Sequence, residues 1–290
     1  MSRSPRRTMG KLTLAKFAIY CILLVVFMLA FYPFFYTLFM AVMPYSEYVK
    51  KPVHVLPSGF TLDYFEQVLS NARLVRAFAN SALRTFVGTI SSIIVTMLTG
   101  YALSRKHLRG RRVMNFLFVV PMWVSGGMIP YYLTIRAVGL LNSFWAMIIP
   151  VLINSFNMFI ARSYYADYPQ EVIEAALVDG ASQFGTFWRI IWPTSKPLFA
   201  TLALLIGSFH WNDFFWPSIL VSSEWQPAPV LLNSIMTNRT LLFGLGQGAR
   251  IEPQSFISAV AAIQIIPLLI IYPFLQRHLV KGIMLGSVKG

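Results

Sequence analysis

Six long apolar runs dominate the sequence, at 17–42, 78–103, 113–133, 143–161, 198–221 and 256–274. A helix needs about 20 such residues to cross the hydrocarbon core of a bilayer. In lipid every backbone N–H and C=O must be satisfied within the protein, which leaves helices and closed barrels as the only spanning structures. Runs of this length predict helices. Only 12% of the chain is charged and 57% is hydrophobic, against roughly 25% charged residues in soluble domains. That composition excludes an ordinary soluble protein. The first run follows Arg3, Arg6, Arg7, Lys11 and Lys16, the basic start of a secretory signal. Its apolar stretch is longer than the 7–15 residues of a signal core and no small-residue cleavage site follows, so it is read as a retained first span.

Orientation follows from the distribution of Lys and Arg, which accumulate on the cytoplasmic side. With the N-terminus inside, the inner segments 1–16, 104–112, 162–197 and 275–290 hold 16 of the 24 basic residues. The outer segments 43–77, 134–142 and 222–255 hold 7. Both termini are therefore expected in the cytoplasm. The same distribution accounts for most of the net charge of +14 without nucleic acid, and the cluster Arg105, Lys106, Arg109, Arg111, Arg112 reads as a topology anchor. The chain divides into a cytoplasmic segment 1–16, a six-helix membrane domain 17–274 and a cytoplasmic tail 275–290. The expected fold is all-α, integral to the membrane and multi-pass.

The spans are not plain hydrophobic rods. Pro33, Pro121, Pro130, Pro150, Pro217, Pro267 and Pro273 each remove a backbone donor and tend to kink a helix. Interrupted helices suit a translocation pathway, although prolines are also common in membrane helices generally. Asn154 and Asn157 fall on one face of the fourth span, at a spacing of three. Ser208, Asn212 and Phe215 share a face of the fifth, close to His210, Trp211 and Trp216. These residues are a candidate path for a hydroxyl-rich solute, or polar contacts that hold helices together. Arg84 and Asp213 are intramembrane charges at similar depths. Such charges are rare and usually paired, so the two form an ion pair or snorkel independently. Outside the spans, 61–69 opens with Thr61 as a helix cap and puts Leu62, Phe65 and Leu69 on one face, as in a short surface helix.

The inner loop 162–197 carries the most information. Pro169 suits a first helical turn, with Asp167 upstream as a cap. Ile173, Ala176, Leu177 and Gly180 follow at helical spacing. Asp179-Gly180 reads as a helix stop, because glycine enters the left-handed region freely. Ser182 can cap a second helix bearing Phe184 and Phe187, ended by Pro193 and Pro197. A helix–glycine–helix with an apolar ridge fits a partner's groove; the other reading is a hairpin folded back on its own bundle.

This loop resembles a known family. The run Glu174-Ala175-Ala176-Leu177-Val178-Asp179-Gly180-Ala181, followed by Phe187, Ile190, Pro193 and Pro197, is similar to the EAA loop of ABC importer permeases at each of its motif positions. Trp211-Asn212-Asp213-Phe214-Phe215-Trp216-Pro217 resembles a fifth-span segment of carbohydrate-importer permeases. The tail from Gln276-Arg277 to Val288-Lys289-Gly290 resembles their ending, with Ser287 where alanine is usual. Trp192 stands where an aliphatic residue usually precedes the first proline. The resemblance covers nearly the whole chain and is closest to the second permease of maltose-importer-like systems. Met43-Pro44-Tyr45-Ser46-Glu47-Tyr48 and Leu56-Pro57-Ser58-Gly59-Phe60-Thr61 look like the branch that imports fragments of complex polysaccharides, including alginate-type oligosaccharides.

The resemblance implies a type I ABC importer permease fold in the bacterial cytoplasmic (inner) membrane. It also implies a second homologous permease, two ATPase subunits that bind ATP and Mg, and a periplasmic or lipid-anchored solute-binding protein. It assigns coupling to the ATPases to Glu174, Ala175, Ala176, Asp179, Gly180, Ala181, Phe184 and Phe187, with Glu174, Asp179 and Gly180 transmitting the motion. The candidate substrate path is Asn154, Asn157, Ser208, Trp211, Asn212, Asp213 and Trp216. No cofactor or metal is expected on this chain, which has no phosphate-binding loop of its own, one cysteine and four scattered histidines. No convergent acid, base or nucleophile set stands out, so an enzyme is disfavoured. A secondary transporter or channel is the alternative; it leaves the EAA loop unexplained.

Overall fold

A computed structural model describes residues 14–50, 59–237 and 253–287, with side chains described for 16–50, 59–237 and 254–274. The N-terminal basic cluster, the Leu56-Pro57-Ser58 stretch and the ending Val288-Lys289-Gly290 lie outside the described residues. So do the side chains of the tail motif. Among the described residues there is no strand.

The chain forms two compact units, one made of residues 1–67 with 251–262 and the other of 68–250 with 263–290. In the first unit, α1 runs Leu14–Val42 with Pro33 inside it. From Phe17 to Phe35 its side chains are exposed on all sides. A helix that is apolar all round belongs in lipid. Met40, Ala41 and Met43, near its C-terminal end, are buried. The short helix expected near 61–69 spans Asp63–Ser70, with Thr61 Oγ1 accepting from Asp63 N–H at 3.2 Å. Its buried residues are Tyr64 and Val68, whereas Leu62 and Leu69 are exposed. Tyr64 and Val68 thus form the inward face, and the apolar residues Leu62 and Leu69 are left on the outside.

The second unit is organised around α2, Ala72–Ser104. Asn71 starts it, its side-chain oxygen accepting from the N–H groups of Arg73 and Leu74, both at 3.1 Å. This satisfies two of the donors that every helix start leaves free. The third apolar run is not one helix. It divides into α3, Arg111–Trp123, and α4, Met128–Ala137. Gly127 in the break has φ +82°, and Gly126-Gly127 supplies the freedom such a break needs. The fourth run begins as two 3₁₀ turns, Phe144–Met147 and Ile149–Val151, before α5, Ser155–Ala166, starts at an Asn154 cap. Then come α6, Gln170–Val178, and α7, Lys196–Asn212. The fifth run ends in α8, Phe215–Leu220, after a break at Asp213. Further on are α9, Ala228–Thr237, and α10, Pro253–Ser287, with Pro267 and Pro273 inside it.

Among the described residues three stretches, 16–42, 72–104 and 254–274, are single helices long and apolar enough to cross a membrane. There are up to five such spans if two bent pairs each count as one. These are the 3₁₀ turns with α5, bent by 47°, and Gln183–Thr194 with α7, bent by 80°. Six spans with proline kinks were the expectation; the breaks at 124–127, before Ser155 and at Asp213 divide them further.

The centre of this unit joins Ile93, Met97 and Tyr101 of α2 to Ala161 and Tyr165 of α5, Ile173 of α6, and Leu198, Leu202 and Ile206 of α7. The α2–α5 crossing depends on a small residue. A Cβ on Gly100 would lie 2.6 Å from Ala161 Cβ and 2.9 Å from Arg162 N. Those atoms belong to a methyl stub and a main chain, neither of which can swing aside. Close approach at small residues is how membrane helices gain packing where lipid offers no hydrophobic drive between them. Gly100→Ala is therefore expected to lower stability by about 1–3 kcal/mol, the range for overpacking, seen as a lower melting temperature of the detergent-purified chain.

Candidate functional site: an anchored lever and a polar seam

The loop 162–197 is built as a lever. α6 begins after Pro169 and stops at Asp179. Gly180 then adopts φ +85°. Gly180 N–H donates to Leu177 O at 3.1 Å, and Ala181 N–H to Ala176 O at 3.0 Å. This pair of bonds is the Schellman ending, which satisfies carbonyls that a helix end leaves free. Ser182 caps the second limb, its Oγ accepting from Gly185 N–H at 3.0 Å. That limb passes from Gln183–Thr186 into a wider π turn, Phe187–Ile191. Asp167 belongs to the end of α5 rather than to the start of α6.

The apolar ridge faces inward. Ile173 is 3% exposed and Phe187 1%, both within the central core, and Leu177 packs against it. Ala176 is buried as well. The ridge Ile173, Ala176, Leu177 thus anchors the hairpin to its own bundle instead of forming its free surface. Of the residues assigned to coupling, Ala176 and Phe187 are turned inward and Ala181 is half-buried. Glu174, Ala175, Asp179, Gly180 and Phe184 are exposed. The most exposed apolar groups of the hairpin are Val178, 87% exposed, and Phe184, 65% exposed, with Val172 less so.

Further contacts stiffen the attachment. The Phe187 ring lies 5.2 Å from that of Tyr101. Arg105, at the end of α2, stacks 4.6 Å over Tyr101 and donates to Gln170 Oε1 at 3.0 Å. The Tyr168 hydroxyl and Thr194 Oγ1 are 2.8 Å apart. Arg105 reads from the sequence only as a topology anchor. Its second contact, to the start of α6, had no local signal, because the partner is 65 residues away.

The intramembrane polar residues form a seam whose contacts are mostly structural. Arg84 and Asp213 pair: Arg84 Nη2 donates to Asp213 Oδ2 at 2.7 Å and Nη1 to the Asp213 carbonyl at 3.1 Å. Of the two readings left open by the sequence, this is the pair. The break between α7 and α8 frees main-chain groups that lipid cannot solvate, and Arg84 satisfies one of them. Asp213 Oδ1 also accepts from Trp216 N–H at 3.4 Å, where α8 begins. Trp211 Nε1 donates to Gln264 O at 2.8 Å, and Gln264 Nε2 returns a bond to Trp211 O at 3.0 Å. This reciprocal clamp ties α7 to α10. A glutamine inside an otherwise apolar run was the available signal for it.

Asn212 bonds back to Ser208 O at 2.9 Å. Trp216 packs on Tyr131, ring centres 4.2 Å apart. Phe215 starts a separate helix and so does not continue the Ser208–Asn212 face. Asn154 spends its side-chain oxygen on Asn157 N–H, 3.2 Å away, as the α5 cap. Both asparagines nonetheless line a cavity of about 490 Å³ bounded by α2, the start of α5 and α7.

A helical membrane protein with a rigid exposed hairpin at one end and a polar, interrupted bundle above it is the form of a transport permease. The chain belongs to the family of binding-protein-dependent transport system inner membrane components, whose model matches residues 9–285. It is 37% identical over 262 residues to protein LplC of Bacillus subtilis (strain 168), covering 89% of each chain. It is 34% identical over 278 residues to the polygalacturonan/rhamnogalacturonan transport system permease protein YtcP of the same organism, covering 94% of this chain and 97% of that one. Its fold is similar to a chain in the crystal structure of a bacterial ABC transporter involved in the import of the acidic polysaccharide alginate. The TM-score is 0.82 and the identity 30%, over 90% of this chain and 95% of that chain. The chain is thus an inner-membrane ABC permease component, a non-catalytic subunit.

Proposed function

We propose that this chain is one half of the translocation pathway of an ATP-driven importer of oligosaccharides derived from a complex polysaccharide, such as alginate. A homologous permease supplies the other half. Two ATPase subunits bind ATP and Mg beneath the pair, and a periplasmic or lipid-anchored solute-binding protein delivers the sugar. Six membrane passes place both termini in the cytoplasm, with 1–16 and 275–290 as the terminal segments and 162–197 as the coupling loop. Closure of the ATPases pushes on Glu174, Asp179, Val178 and Phe184 and turns the pathway outward.

The observation that carries this reading is the hairpin's construction. Its inner ridge is locked into the core through Ile173 and Phe187, while a charged and apolar tip is left exposed. Exposed Val178 and Phe184 beside two carboxylates suit a groove with an apolar floor and a basic rim. Locking makes the tip move with α2, α5 and α7 as one piece. The substrate class rests on the relatives: permeases for polygalacturonan/rhamnogalacturonan and for arabinooligosaccharides, and the alginate importer.

The test is a mild-detergent purification of this chain from its native membrane, followed by mass spectrometry and reconstitution. A phosphate-loop ATPase and a second permease are expected to co-purify. Liposomes holding the assembly are expected to take up oligogalacturonides, arabino-oligosaccharides or alginate oligosaccharides only when ATP and binding protein are present. A chain that purifies alone and transports without ATP is a secondary transporter or channel instead.

A further inference from the structure

One corner of the bundle gathers positive charge that no carboxylate answers. From 67 to 166 the chain carries no Asp or Glu, so α2, α3 and α5 bring no acid of their own. α3 packs on both α2 and α5. This packing brings Arg111, the first residue of α3, to Arg162 in the last turns of α5. Arg111 is held in place, its Nε donating to Leu103 O at 2.9 Å. Arg162 is half-buried, its guanidinium carbon 5.8 Å from the centre of the Phe159 ring. Among the described residues neither arginine has an ion pair, and no hydrogen bond reaches the Arg162 guanidinium. Burial, and then the nearby charge of Arg111, push the pKa of Arg162 below its ordinary value. A guanidinium stays charged all the same. Two cations that repel across a partly dry corner call for an anion between them.

The surface beside these charges says which anion. Met114, Phe118 and Met122 follow Arg111 on one face of α3, at helical spacing. Met114 and Met122 are exposed and Phe118 is half-buried, and α3 has no buried residue at all. Phe118 stands roughly 10 Å beyond Arg111 along the helix. Charge first and apolar surface beyond it is the order of groups met on entering a leaflet from water. We infer that Arg111 and Arg162 form a headgroup site for an anionic phospholipid of the cytoplasmic leaflet, sharing its phosphate while an acyl chain lies along Met114 and Phe118. The planar fork of an arginine matches phosphate oxygens. A free phosphate or an acidic protein would use the two charges and leave the apolar face bare. Lys106, Arg109 and Arg112, exposed in the same segment, add attraction at longer range. The inference goes beyond the import reading and takes from it only the orientation, which decides the leaflet.

The test uses the complete importer, purified in a neutral detergent and washed free of lipid. Its melting temperature is followed as phosphatidylglycerol is added in mixed micelles, since a ligand of the folded state raises it by mass action. Phosphatidylglycerol is expected to raise it; phosphatidylcholine and inorganic phosphate at the same concentration are not. In Arg111→Gln with Arg162→Gln the apparent affinity for phosphatidylglycerol is expected to fall roughly 30-fold, the effect of two basic contacts to an anionic lipid. Arg162→Gln alone removes a side chain that bonds no protein group. It is expected to leave the lipid-free melting temperature level or raised, while the affinity falls roughly fivefold. That single variant carries the test where the double one does not assemble. Lys106→Gln with Arg109→Gln takes the same charge from the same loop and is expected to keep the response.

An unchanged lipid response in Arg162→Gln overturns the site. So does an equal loss in the Lys106 and Arg109 pair, which means diffuse attraction to the whole loop. Stabilisation by inorganic phosphate through the same two arginines makes the ligand a free anion and overturns the lipid. Loss of the ATPase subunits from the Arg162→Gln assembly, with its lipid response intact, means that a protein covers the corner instead. An importer that takes up no oligosaccharide strikes the import reading and leaves the lipid result standing, and a failed lipid response leaves the import reading untouched.

Discussion

Asp213→Ala is expected to destabilise the permease by about 3–5 kcal/mol, the cost of leaving one half of a buried ion pair without its partner. Arg84 is 1% exposed, so its charge has no water to turn to. Asp213 supplies it with both a carboxylate oxygen and a carbonyl. Asp213→Asn keeps one side-chain acceptor, enough for Arg84 or for Trp216 N–H but not for both, and loses the charge, so it should fall between the wild type and alanine. The informative variant is the double Arg84→Met with Asp213→Asn. It removes the stranded cation and keeps the cap of α8, so it should be more stable than Asp213→Ala despite carrying two changes. Such non-additivity is the signature of a direct contact. Melting of five proteins in one detergent, the wild type, Asp213→Ala, Asp213→Asn, Arg84→Met and the double variant, settles the order and closes the cycle. Additive losses would mean that Arg84 is held by something other than Asp213.

The pair was legible in the sequence as two intramembrane charges at matching depth. Other features were legible only in part, for stated reasons. Apolar length located the spans, but a hydropathy run averages across a short break. The kinks at 124–127 and at Asp213 were therefore invisible to it, although Gly126-Gly127 marked the first. The hairpin's stop at Gly180 was readable because the left-handed conformation calls for glycine. The direction of its ridge was not. Ile173, Ala176 and Leu177 have the same spacing whether they face their own core or a partner's groove. In the short helix at Asp63–Ser70 the apolar spacing likewise did not mark Tyr64 and Val68 as the buried face. Of the candidate path, Trp211, Asn212 and Asp213 make protein–protein bonds, and Asn154 and Asn157 reach the cavity. Residue type alone cannot separate those roles, because a polar side chain in lipid needs a partner in either case.

Gly180→Val is expected to separate ATP hydrolysis from import. At φ +85° a residue with a Cβ pays roughly 1–2 kcal/mol, and a β-branched one more. A Cβ built there meets nothing within 4 Å, so the whole effect is conformational and none of it is crowding. The strain is relieved by opening the Schellman bonds to Leu177 and Ala176, which re-aims Phe184 relative to Val178 while the buried ridge stays in place. The bundle should therefore fold, insert and bind its ATPases. An energy of one to two kcal/mol shifts a two-state equilibrium by about 5–30-fold, and uptake per ATP hydrolysed is expected to fall by that order. Three substitutions give the mechanism away. Asparagine tolerates the left-handed region better than alanine does, yet it is larger. If backbone conformation governs coupling, Gly180→Asn retains more uptake than Gly180→Ala, and Gly180→Val retains least. If instead the tip needs glycine because a partner surface presses against it, the order follows size and alanine outperforms asparagine. Uptake and ATPase rates of the three assemblies, measured side by side in liposomes, distinguish a strained turn from a crowded interface.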